Sequence, residues 1–299
     1  MNRLFATLVL LLAFGLSYAQ QNFDTVRIRP VTVGEHVYMF KGSGGNIGIL
    51  PGPDGVLMID DQFAPLANKI HAAIRTIDGH PLRFLINTHL HGDHSGGNEN
   101  FKGFGMTIVA HDQVRERMMH SRTGDDGKIT PPRDAAAWPV VTFPDKMTFH
   151  LNDEDVELLY FGRGHTDGDV IVHFKKANVY HAGDAFIRYG YPYVDLTSGG
   201  SYNGFITTLD KLLALLDDQS RIIPGHGEVA TKADVKTFRD QLADLRDQVV
   251  AALKKGKKPE EIGGMPFASK YDAQLGGEFL KGKDFVTMMA LDLAPQKPK

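Results

Sequence analysis

Short runs of hydrophobic residues separated by turn sequences dominate the first part of the chain, a pattern that predicts β-strands joined by hairpins. Strands are predicted over residues 26–28, 37–40, 47–50 and 56–59, with a Pro-Gly-Pro-Asp-Gly turn before the last of them. Apolar residues at helical spacing then predict a helix over residues 64–77, and a short buried-type strand follows over residues 82–86.

The same pattern returns in the second half of the chain. Strands are predicted over residues 147–151, 156–161, 170–174, 179–181 and 221–223. Amphipathic helices are predicted over residues 205–216 and 233–255, and residues 121–139 are predicted to form a surface loop. Two hairpin-rich blocks, each followed by strand–helix units, predict an α/β fold in one domain, a four-layer sandwich of two β-layers with helices on both outer faces.

The N-terminus has the order of residues found in a secretory signal. Arg3 supplies a positive charge, residues 4–16 are almost wholly apolar, and Ser17 and Ala19 place small residues where a signal peptidase cleaves. The apolar run is shorter than the roughly 20 residues of a membrane-spanning helix, which disfavours the alternative of a membrane anchor. We therefore expect a signal peptide over residues 1–19 and a periplasmic product with no stable membrane association after cleavage.

The composition limits the partners and the metal ligands that this chain can have. A net charge of −3 over 299 residues gives no sign of the concentrated basic face that nucleic-acid binding needs, so no nucleic-acid partner is expected. The chain contains no cysteine, which excludes disulfides. Any metal ligands must therefore be histidine or carboxylate side chains.

Four candidate metal ligands cluster just after the strand predicted over residues 82–86. His89, His91, Asp93 and His94 fall within six consecutive positions. Loops at strand ends are where α/β sheets build their sites. One zinc ion cannot take all four side chains and keep an open coordination position, so two metal ions fit better.

Three more candidate ligands follow strands later in the chain. They are His165 in Gly-Arg-Gly-His-Thr-Asp-Gly, Asp184 in Ala-Gly-Asp-Ala, and His226 in Pro-Gly-His-Gly. Each has a glycine beside it on a loop, which suits the presentation of a ligand better than packing in a core. The remaining histidines have no such placement and are predicted to be structural or on the surface: His36, His71, His80, His111, His120, His150, His173 and His181.

The motif His-x-His-x-Asp-His, followed in order by Gly-His, Gly-Asp and Pro-Gly-His, resembles the metallo-β-lactamase superfamily, in particular its secreted bacterial members. The resemblance covers about residues 37–227. It implies an αββα sandwich with the metal ions in a groove at one edge of the two sheets. The expected organisation is one catalytic domain over residues 20–299, with a helical C-terminal extension from about residue 231.

The resemblance also assigns each candidate ligand to one of two zinc ions. His89, His91 and His165 would hold the first ion, Asp93, His94 and His226 the second, and Asp184 would bridge both. Asp60 falls at the family's first motif and is expected to orient the ligands from behind. The alternative for Asp60 is an ordinary carboxylate at the end of a strand.

The implied activity is metal-dependent hydrolysis with two Zn²⁺ per chain. Coordination lowers the pKa of a shared water from about 15.7 toward about 7, so a bridging hydroxide attacks a small-molecule substrate without a Ser or Cys nucleophile. Asp93 is the candidate catalytic residue, because it would orient this hydroxide or return a proton to the leaving group.

Asp184 helps to predict the class of substrate, because a bridging carboxylate lowers the Lewis acidity of the metals. Family members with such a bridge look like lactonases, glyoxalase II thioesterases and phosphodiesterases, whereas true β-lactamases typically carry Cys or Ser near this position. We expect a small ester, lactone or lactam as substrate. β-Lactamase activity is the alternative, and a thioesterase, a phosphodiesterase and a di-iron redox protein are further alternatives. A non-catalytic binding module is disfavoured because every ligand position is filled.

A Gly- and Tyr-rich segment follows Asp184 and has two interpretations. Tyr191 and Tyr193 either overhang the metals or pack the loop onto the sheet while Ser201 caps the next helix, and packing is favoured. Trp138 and Phe63 either line the groove or cover core, and the sequence does not decide between these roles.

Overall fold

The computed structural model describes residues 22–123, 127–277 and 279–295. The predicted signal peptide over residues 1–19 lies outside this part of the chain. Among the described residues, no helix combines the length and apolar character needed to cross a membrane.

The first sheet has seven strands in the order β1-β2-β3-β4-β5-β6-β9. Its strands are β1 (Arg29–Gly34), β2 (Val37–Lys41), β3 (Ile47–Leu50), β4 (Val56–Ile59), β5 (Leu82–Ile86), β6 (Thr107–His111) and β9 (Val141–Phe143). Strands β1 to β4 form an antiparallel meander, and β4, β5, β6 and β9 run parallel. Because parallel strands end at the same edge, β5 delivers the residues that follow it to that edge of the sheet.

The second sheet has five strands in the order β10-β11-β12-β13-β14. They are β10 (Lys146–Leu151), β11 (Glu154–Tyr160), β12 (Val170–Phe174), β13 (Val179–His181) and β14 (Arg221–Ile223). The first four are antiparallel, whereas β13 and β14 are parallel. Asn152 and Asp153 join β10 to β11 with φ angles of 54° and 57°, the left-handed pair that a two-residue hairpin turn requires.

Helices cover the outer faces of both sheets. The α-helices are α1 (Ala67–Ile77), α2 (Gly92–Ser95), α3 (Asn98–Gly103), α4 (Asp112–Met119), α5 (Tyr202–Leu215), α6 (Lys232–Lys254), α7 (Pro259–Gly263), α8 (Asp272–Leu275) and α9 (Gly282–Leu293). Short 3₁₀ turns add Ala64–Leu66, Ala135–Ala137, Gly183–Ala185 and Ala268–Lys270. The described residues after β14 are therefore mainly helical.

Successive residues of each strand serve different hydrophobic layers, which confirms the predicted four-layer sandwich. In β2, Met39 packs between the two sheets, whereas Phe40 packs in the cluster that α1 and α3 cover. In β12, Val172 packs between the sheets, whereas Ile171 packs in the cluster that α5, α6 and α9 cover. Side chains of a strand alternate between its two faces, so both sheets are buried on both sides.

Two of the predicted elements are wrong. Residues 26–28 form no strand, because the chain first pairs with β2 at Arg29. The Lys69 ammonium binds the carbonyl of Val26 at 3.0 Å, and this group is therefore engaged outside any sheet. Residues 121–139 are not simply a surface loop. They include the short hairpin of β7 (Arg122–Thr123) and β8 (Ile129–Thr130), and the fully buried Ala137 accepts a hydrogen bond from Asn98.

Candidate metal centre

All seven candidate ligands lie at one edge of the sandwich because each follows a strand that ends there. The segment after β5 carries His89, His91, Asp93 and His94, while His165 follows β11, Asp184 follows β13 and His226 follows β14. The loop between β2 and β3 ties these segments together. The Asn46 amide donates to the carbonyls of Pro224 and Gly227 at 2.9 Å each, and the Gly45 amide donates to the Asp93 carbonyl at 2.9 Å.

The structure brings the seven side chains together in overlapping groups of three. Within each group, one ligand atom per residue lies within 4.8 Å of the others. The groups are His89, His91 and His165, then His89, His94 and Asp184, then Asp93, His94 and His226. The first and third groups are the two sets of histidine and carboxylate ligands predicted for two ions.

Asp184 lies between these two sets. Its Oδ1 atom is 3.1 Å from Nε2 of His94 and 3.4 Å from Nε2 of His226, whereas its Oδ2 atom is 3.7 Å from Nε2 of His165. One carboxylate oxygen therefore faces each set. This is the geometry that a bridging ligand needs.

Four of the histidines are held from behind through the ring nitrogen that faces away from the cluster. The Thr88 hydroxyl lies 3.0 Å from Nδ1 of His89, and the Tyr193 carbonyl lies 2.6 Å from Nδ1 of His165. The other two partners are carboxylates, with Asp195 at 2.9 Å from Nε2 of His91 and Asp60 at 2.7 Å from Nδ1 of His94. Such partners fix the ring orientation and tautomer of a metal-binding histidine.

Asp60 occupies the position expected of a residue that orients ligands. It is fully buried, and its Oδ1 atom accepts from the Thr88 amide at 2.7 Å while its Oδ2 atom accepts from the Thr88 hydroxyl at 2.7 Å. Its φ angle of 61° is left-handed, a conformation that costs a non-glycine residue energy and is found at functional sites. Asp60 thus links the segment before His89 to the ring of His94.

Two buried polar atoms face the cluster and form no hydrogen bond. Nε2 of His89 has no hydrogen-bond partner among the described residues, and Oδ1 of Asp184 lies 3.1 Å from Nε2 of His94 without the geometry of a hydrogen bond. Buried polar atoms are normally paired, and a ring nitrogen and a carboxylate oxygen are the kinds of atom that a zinc ion binds. The residues therefore fit a bound metal.

The electrostatics of the cluster suit cations. Burial would lower the pKa of His94, but the carboxylates of Asp184 and Asp60 outweigh burial and hold this pKa well above its usual value. Burial lowers the pKa of His165 to about 4 and keeps the pKa of His89 well below its ordinary value, so both rings are neutral and can donate a lone pair. The pKa of Asp184 lies well below its usual range because nearby His94 and His226 outweigh burial.

A pocket of about 620 Å³ opens above the cluster. Asp93 lines it with a side chain that is 28% exposed, and Nε2 of His226 lies 3.2 Å from the Asp93 carboxylate. Aromatic side chains form much of the remaining wall: Phe63, Tyr189, Tyr193 and Phe279. The arrangement can therefore hold metal ions at its floor and an organic group against its walls.

The sequence left open which aromatic residues line the pocket and which pack in the core, and the structure decides this for each residue. Tyr191 is buried and packs against Phe285, whereas Tyr193 lines the pocket. Ser201 caps α5 by accepting from the Gly204 amide, as predicted. Phe63 lines the pocket, whereas the Trp138 indole packs beside Leu90 and donates to the Arg133 carbonyl.

The eight other histidines belong to none of the candidate metal groups formed by the described residues. His181 is a structural example, since it is buried and its Nε2 atom lies 3.0 Å from the Asn46 carbonyl. Four residues of the site were not predicted from the sequence: Thr88, Tyr189, Asp195 and Phe279. Among these four, only Tyr189 could have been found from the sequence, because it begins the Gly- and Tyr-rich segment after Asp184.

The comparisons with known proteins agree with this geometry. A family model described as the metallo-beta-lactamase superfamily matches residues 41–226, which is more than half of the chain. The chain is 27% identical over 199 residues to the probable metallo-hydrolase YqgX of Bacillus subtilis (strain 168), covering 62% of this chain and 88% of that protein. It is 28% identical over 250 residues to the metallo-beta-lactamase type 2 of Elizabethkingia meningoseptica, covering 80% of this chain and 93% of that protein.

Solved structures also resemble this fold. A metallo-beta-lactamase from Pontibacter korlensis superposes with a TM-score of 0.60 at 16% sequence identity, covering 73% of this chain and 100% of that one. At this identity, the likeness concerns the fold alone.

Proposed function

The chain belongs to the metallo-β-lactamase superfamily and is a metal-dependent hydrolase, and from this premise we propose that it cleaves a small ester, lactone or lactam at a two-zinc centre. His89, His91 and His165 would hold one ion, Asp93, His94 and His226 the other, and Asp184 would bridge them. The observation that carries this proposal is the position of Asp184, whose two carboxylate oxygens face the two ligand sets.

The metals and the protein side chains would contribute different parts of the reaction. Bound zinc ions would supply a water that ionises near neutral pH and a Lewis acid for the scissile carbonyl. The chain supplies the orientation, since Thr88, Asp60, Asp195 and the Tyr193 carbonyl fix the histidine rings. Asp93 lines the pocket and is the carboxylate that we assign to hold a proton and pass it to the leaving group.

The low pKa of Asp93 supports its assignment as a metal ligand. Burial would raise the pKa of the Asp93 carboxyl, but the hydrogen bond with His226 and the nearby imidazoles of His94 and His226 together outweigh burial and lower the pKa below its ordinary value. The Asp93 carboxyl is therefore ionised, the form in which a carboxylate binds a metal ion.

We propose that the enzyme acts in the periplasm as a single catalytic domain over residues 20–299 with a helical extension from about residue 231. The support for export is the order of charged, apolar and small residues over residues 3–19. The support for the domain is the unbroken four-layer core, to which the C-terminal helices α6 and α9 contribute.

β-Lactam hydrolysis is the second candidate activity. It is favoured by the 28% identity with the type 2 metallo-beta-lactamase of Elizabethkingia meningoseptica over 93% of that protein. A bridging Asp184 argues for weaker lactam hydrolysis, because its negative charge lowers the Lewis acidity of both metals. We therefore rank ester and lactone hydrolysis first.

A substrate panel on the mature, zinc-loaded protein tests the proposal. Chromogenic ester, lactone, lactam, thioester and bis-phosphate substrates are compared, and the bound metal is measured by mass spectrometry. We expect two zinc ions per chain and the highest kcat/KM for an ester or a lactone. Preferred turnover of the bis-phosphate, or a single bound ion, would contradict the proposal.

The Asp93→Ala variant tests the assigned catalytic residue. We expect kcat to fall by about 10²-fold or more, the usual contribution of a positioned acid or base, while the fold is retained because Asp93 lines an open pocket. Circular dichroism and thermal unfolding provide the control for folding. Unaltered turnover would remove Asp93 from the reaction.

A further inference from the structure

Three aromatic rings form a continuous arch above the candidate metal centre. The Tyr189 ring centre lies 5.0 Å from that of His226, and the Tyr193 ring centre lies 6.3 Å from that of His165. The Phe279 ring lies 6.3 Å from each tyrosine ring and so joins them. We call Tyr189, Tyr193 and Phe279 the aromatic arch. It spans the cluster from one ligand set to the other.

Phe279 comes from a part of the chain that the family model does not match, because the match ends at residue 226. It lies between α8 and α9, in a segment attached to the loop that carries both tyrosines. The Tyr191 amide donates to the Leu275 carbonyl at 2.8 Å, and the Tyr191 hydroxyl donates to the carboxylate of Asp272 at 2.9 Å. The C-terminal helices therefore place a side chain at the mouth of the pocket.

The exposure of Phe279 indicates a binding role rather than a packing role. Its side chain is 68% exposed, whereas the neighbouring Phe285 is fully buried in the core. A large apolar side chain left in water, and continuous with a concave aromatic surface, is typical of a ligand-binding site. Removing Phe279 is expected to leave the core intact.

The charge of the pocket restricts what the arch can bind. The acidic side chains that line the pocket are Asp93 and Asp184, and no lysine or arginine lines it among the described residues. The nearby Arg188 is turned away and binds the Val229 carbonyl at 2.9 Å and Asp234 at 3.3 Å. A carboxylate on the distal part of a substrate would therefore find no cationic side chain to pair with in the walls of the pocket. An uncharged apolar group meets three rings.

We infer that the aromatic arch binds the uncharged alkyl or aryl group of the substrate, and that Phe279 is a specificity-determining residue for neutral apolar esters and lactones. This inference rests on the proposed hydrolytic function, because the metal centre must cleave the bond that the arch positions. Each methylene group that the arch removes from water is worth about a fourfold gain in binding. Selectivity should therefore rise with the length of the acyl chain and fall when the chain ends in a charge.

Three 4-nitrophenyl esters with the same leaving group test the inference on the zinc-loaded enzyme: the acetate, the hexanoate and the adipate monoester. The adipate matches the hexanoate in chain length but ends in a carboxylate. We expect kcat/KM for the hexanoate to exceed that for each of the others by about tenfold or more. Equal rates on the hexanoate and the adipate monoester would overturn the inference.

The Phe279→Ala variant should lower kcat/KM for the hexanoate about five- to tenfold and lower the acetate value by a clearly smaller factor. Leu291→Ala is the matched control, because Leu291 is 48% exposed on α9 of the same extension and does not line the pocket. We expect the control to match the wild type on all three esters. Equal losses on the acetate and the hexanoate in Phe279→Ala would show that Phe279 does not select substrates.

A binding measurement separates this inference from the proposed function. The ligand is 4-nitrophenyl hexyl ether, which is neutral and has no ester bond to hydrolyse. We expect Phe279→Ala to weaken its binding about fivefold in calorimetry. If the enzyme hydrolyses no ester but this loss occurs, the hydrolytic proposal fails, whereas the binding of uncharged apolar groups by the arch is supported. If zinc-dependent ester hydrolysis occurs and Phe279→Ala binds the ether normally, the arch assignment fails alone.

Discussion

At the scale of single residues, the cluster depends on partners that hold the ligands as much as on the ligands themselves. His91 illustrates this dependence, because its Nε2 atom is engaged by Asp195 and its Nδ1 atom lies 2.8 Å from Nε2 of His165. Asp195 in turn accepts from the Thr197 hydroxyl at 2.6 Å and from the Ser198 amide at 2.9 Å. The ring of His91 is therefore fixed by a carboxylate that is itself fixed.

Asp195→Asn tests this arrangement. The amide oxygen can still accept hydrogen bonds in the loop, but the negative charge beside His91 is removed. We expect zinc affinity to fall about 10- to 100-fold, the usual effect of losing such a partner. Competition with a chromogenic chelator measures the affinity. Asp217→Asn, a change in a loop carboxylate that contacts Asn178 and Ser220, serves as the control and should bind zinc normally. Unchanged affinity in Asp195→Asn would contradict the assigned role.

Asp61 lies next to Asp60 and supplies a pH-dependent term in stability. Burial raises the pKa of its carboxyl well above the ordinary value. Its Oδ1 atom accepts from the Gly97 amide at 2.8 Å, whereas its Oδ2 atom has no hydrogen-bond partner among the residues that the structure describes. The folded state therefore binds the Asp61 proton more tightly than the unfolded state does.

Asp61→Asn should remove this dependence. Because the pKa is higher in the folded state, the wild type loses stability as pH rises from the unfolded pKa of about 3.9 through the raised folded pKa. Across this window, the free energy of unfolding of the variant minus that of the wild type should increase as pH rises, by at most about 1.4 kcal/mol per pH unit. Urea unfolding of both zinc-saturated proteins measures the difference, in which the effect of metal binding cancels. A difference that stays constant with pH would show that Asp61 does not titrate.

The sequence identified the candidate ligands because each one lies within a short local motif that contains glycine. Asp195 could not be identified in this way, since it touches His91 across 104 positions of the chain and its own neighbours carry no recognisable pattern. Phe279 could not be identified either, because its role arises from contacts with Tyr189 and Tyr193 that only the folded loop creates.

At the scale of elements, periodicity predicted the strands that are bounded by clear turns. Residues 47–50, 56–59, 82–86, 170–174, 179–181 and 221–223 match β3, β4, β5, β12, β13 and β14. Strands β6 and β9 and helix α4 were not predicted. Strand β9 has three residues, two of them at least partly exposed, and a run this short has no usable period. Strand β9 forms because these residues pair with β6 in the folded sheet.

Helix α6 begins with a capping box that the sequence did not reveal. The Asp234 carboxylate accepts from the Thr231 amide at 2.9 Å and from the Thr231 hydroxyl at 2.8 Å. Partial burial would raise the pKa of Asp234, but these two hydrogen bonds outweigh burial and lower it. The box holds the start of a helix that packs Val235, Phe238 and Leu242 onto the second sheet.

Thr231→Ala should therefore reduce the free energy of unfolding by about 1 kcal/mol, the usual cost of losing an N-cap. Urea unfolding measures this loss. Thr231→Ser keeps the hydroxyl and is expected to retain most of the stability. Neither variant should change kcat, because α6 does not line the pocket. A loss of less than a few tenths of a kcal/mol in Thr231→Ala would mean that the box contributes little.

At the scale of the whole molecule, the candidate metal centre joins the two sheets. The first sheet carries His89, His91, Asp93 and His94, and the second carries His165, Asp184 and His226. The fold class could be predicted from the order of hairpins and helices, because each sheet forms from neighbouring stretches of chain. How the two halves meet was implied only by the family resemblance and not by the pattern of strands and helices, since it depends on contacts such as that of Asn46 with Pro224.

Chelation should therefore affect stability as well as activity. We expect a strong chelator to abolish hydrolysis and to lower the melting temperature, with zinc restoring both. At a free zinc concentration 1,000 times Kd, binding adds about 4 kcal/mol to the free energy of unfolding. Calorimetry with and without chelator measures the change, and magnesium, which prefers an all-oxygen site, is the control ion. Full activity after rigorous chelation would remove the metal from the reaction.

The short connection between β9 and β10, which consists of Pro144 and Asp145, separates the two ligand groups in the chain. Cutting the backbone there would give one fragment with four of the candidate ligands and another with three. Neither piece could assemble the centre alone, so recovered hydrolysis would report that two tethered fragments had come together. The same division that places the candidate metal centre between two sheets thus makes this enzyme a natural starting point for a split reporter.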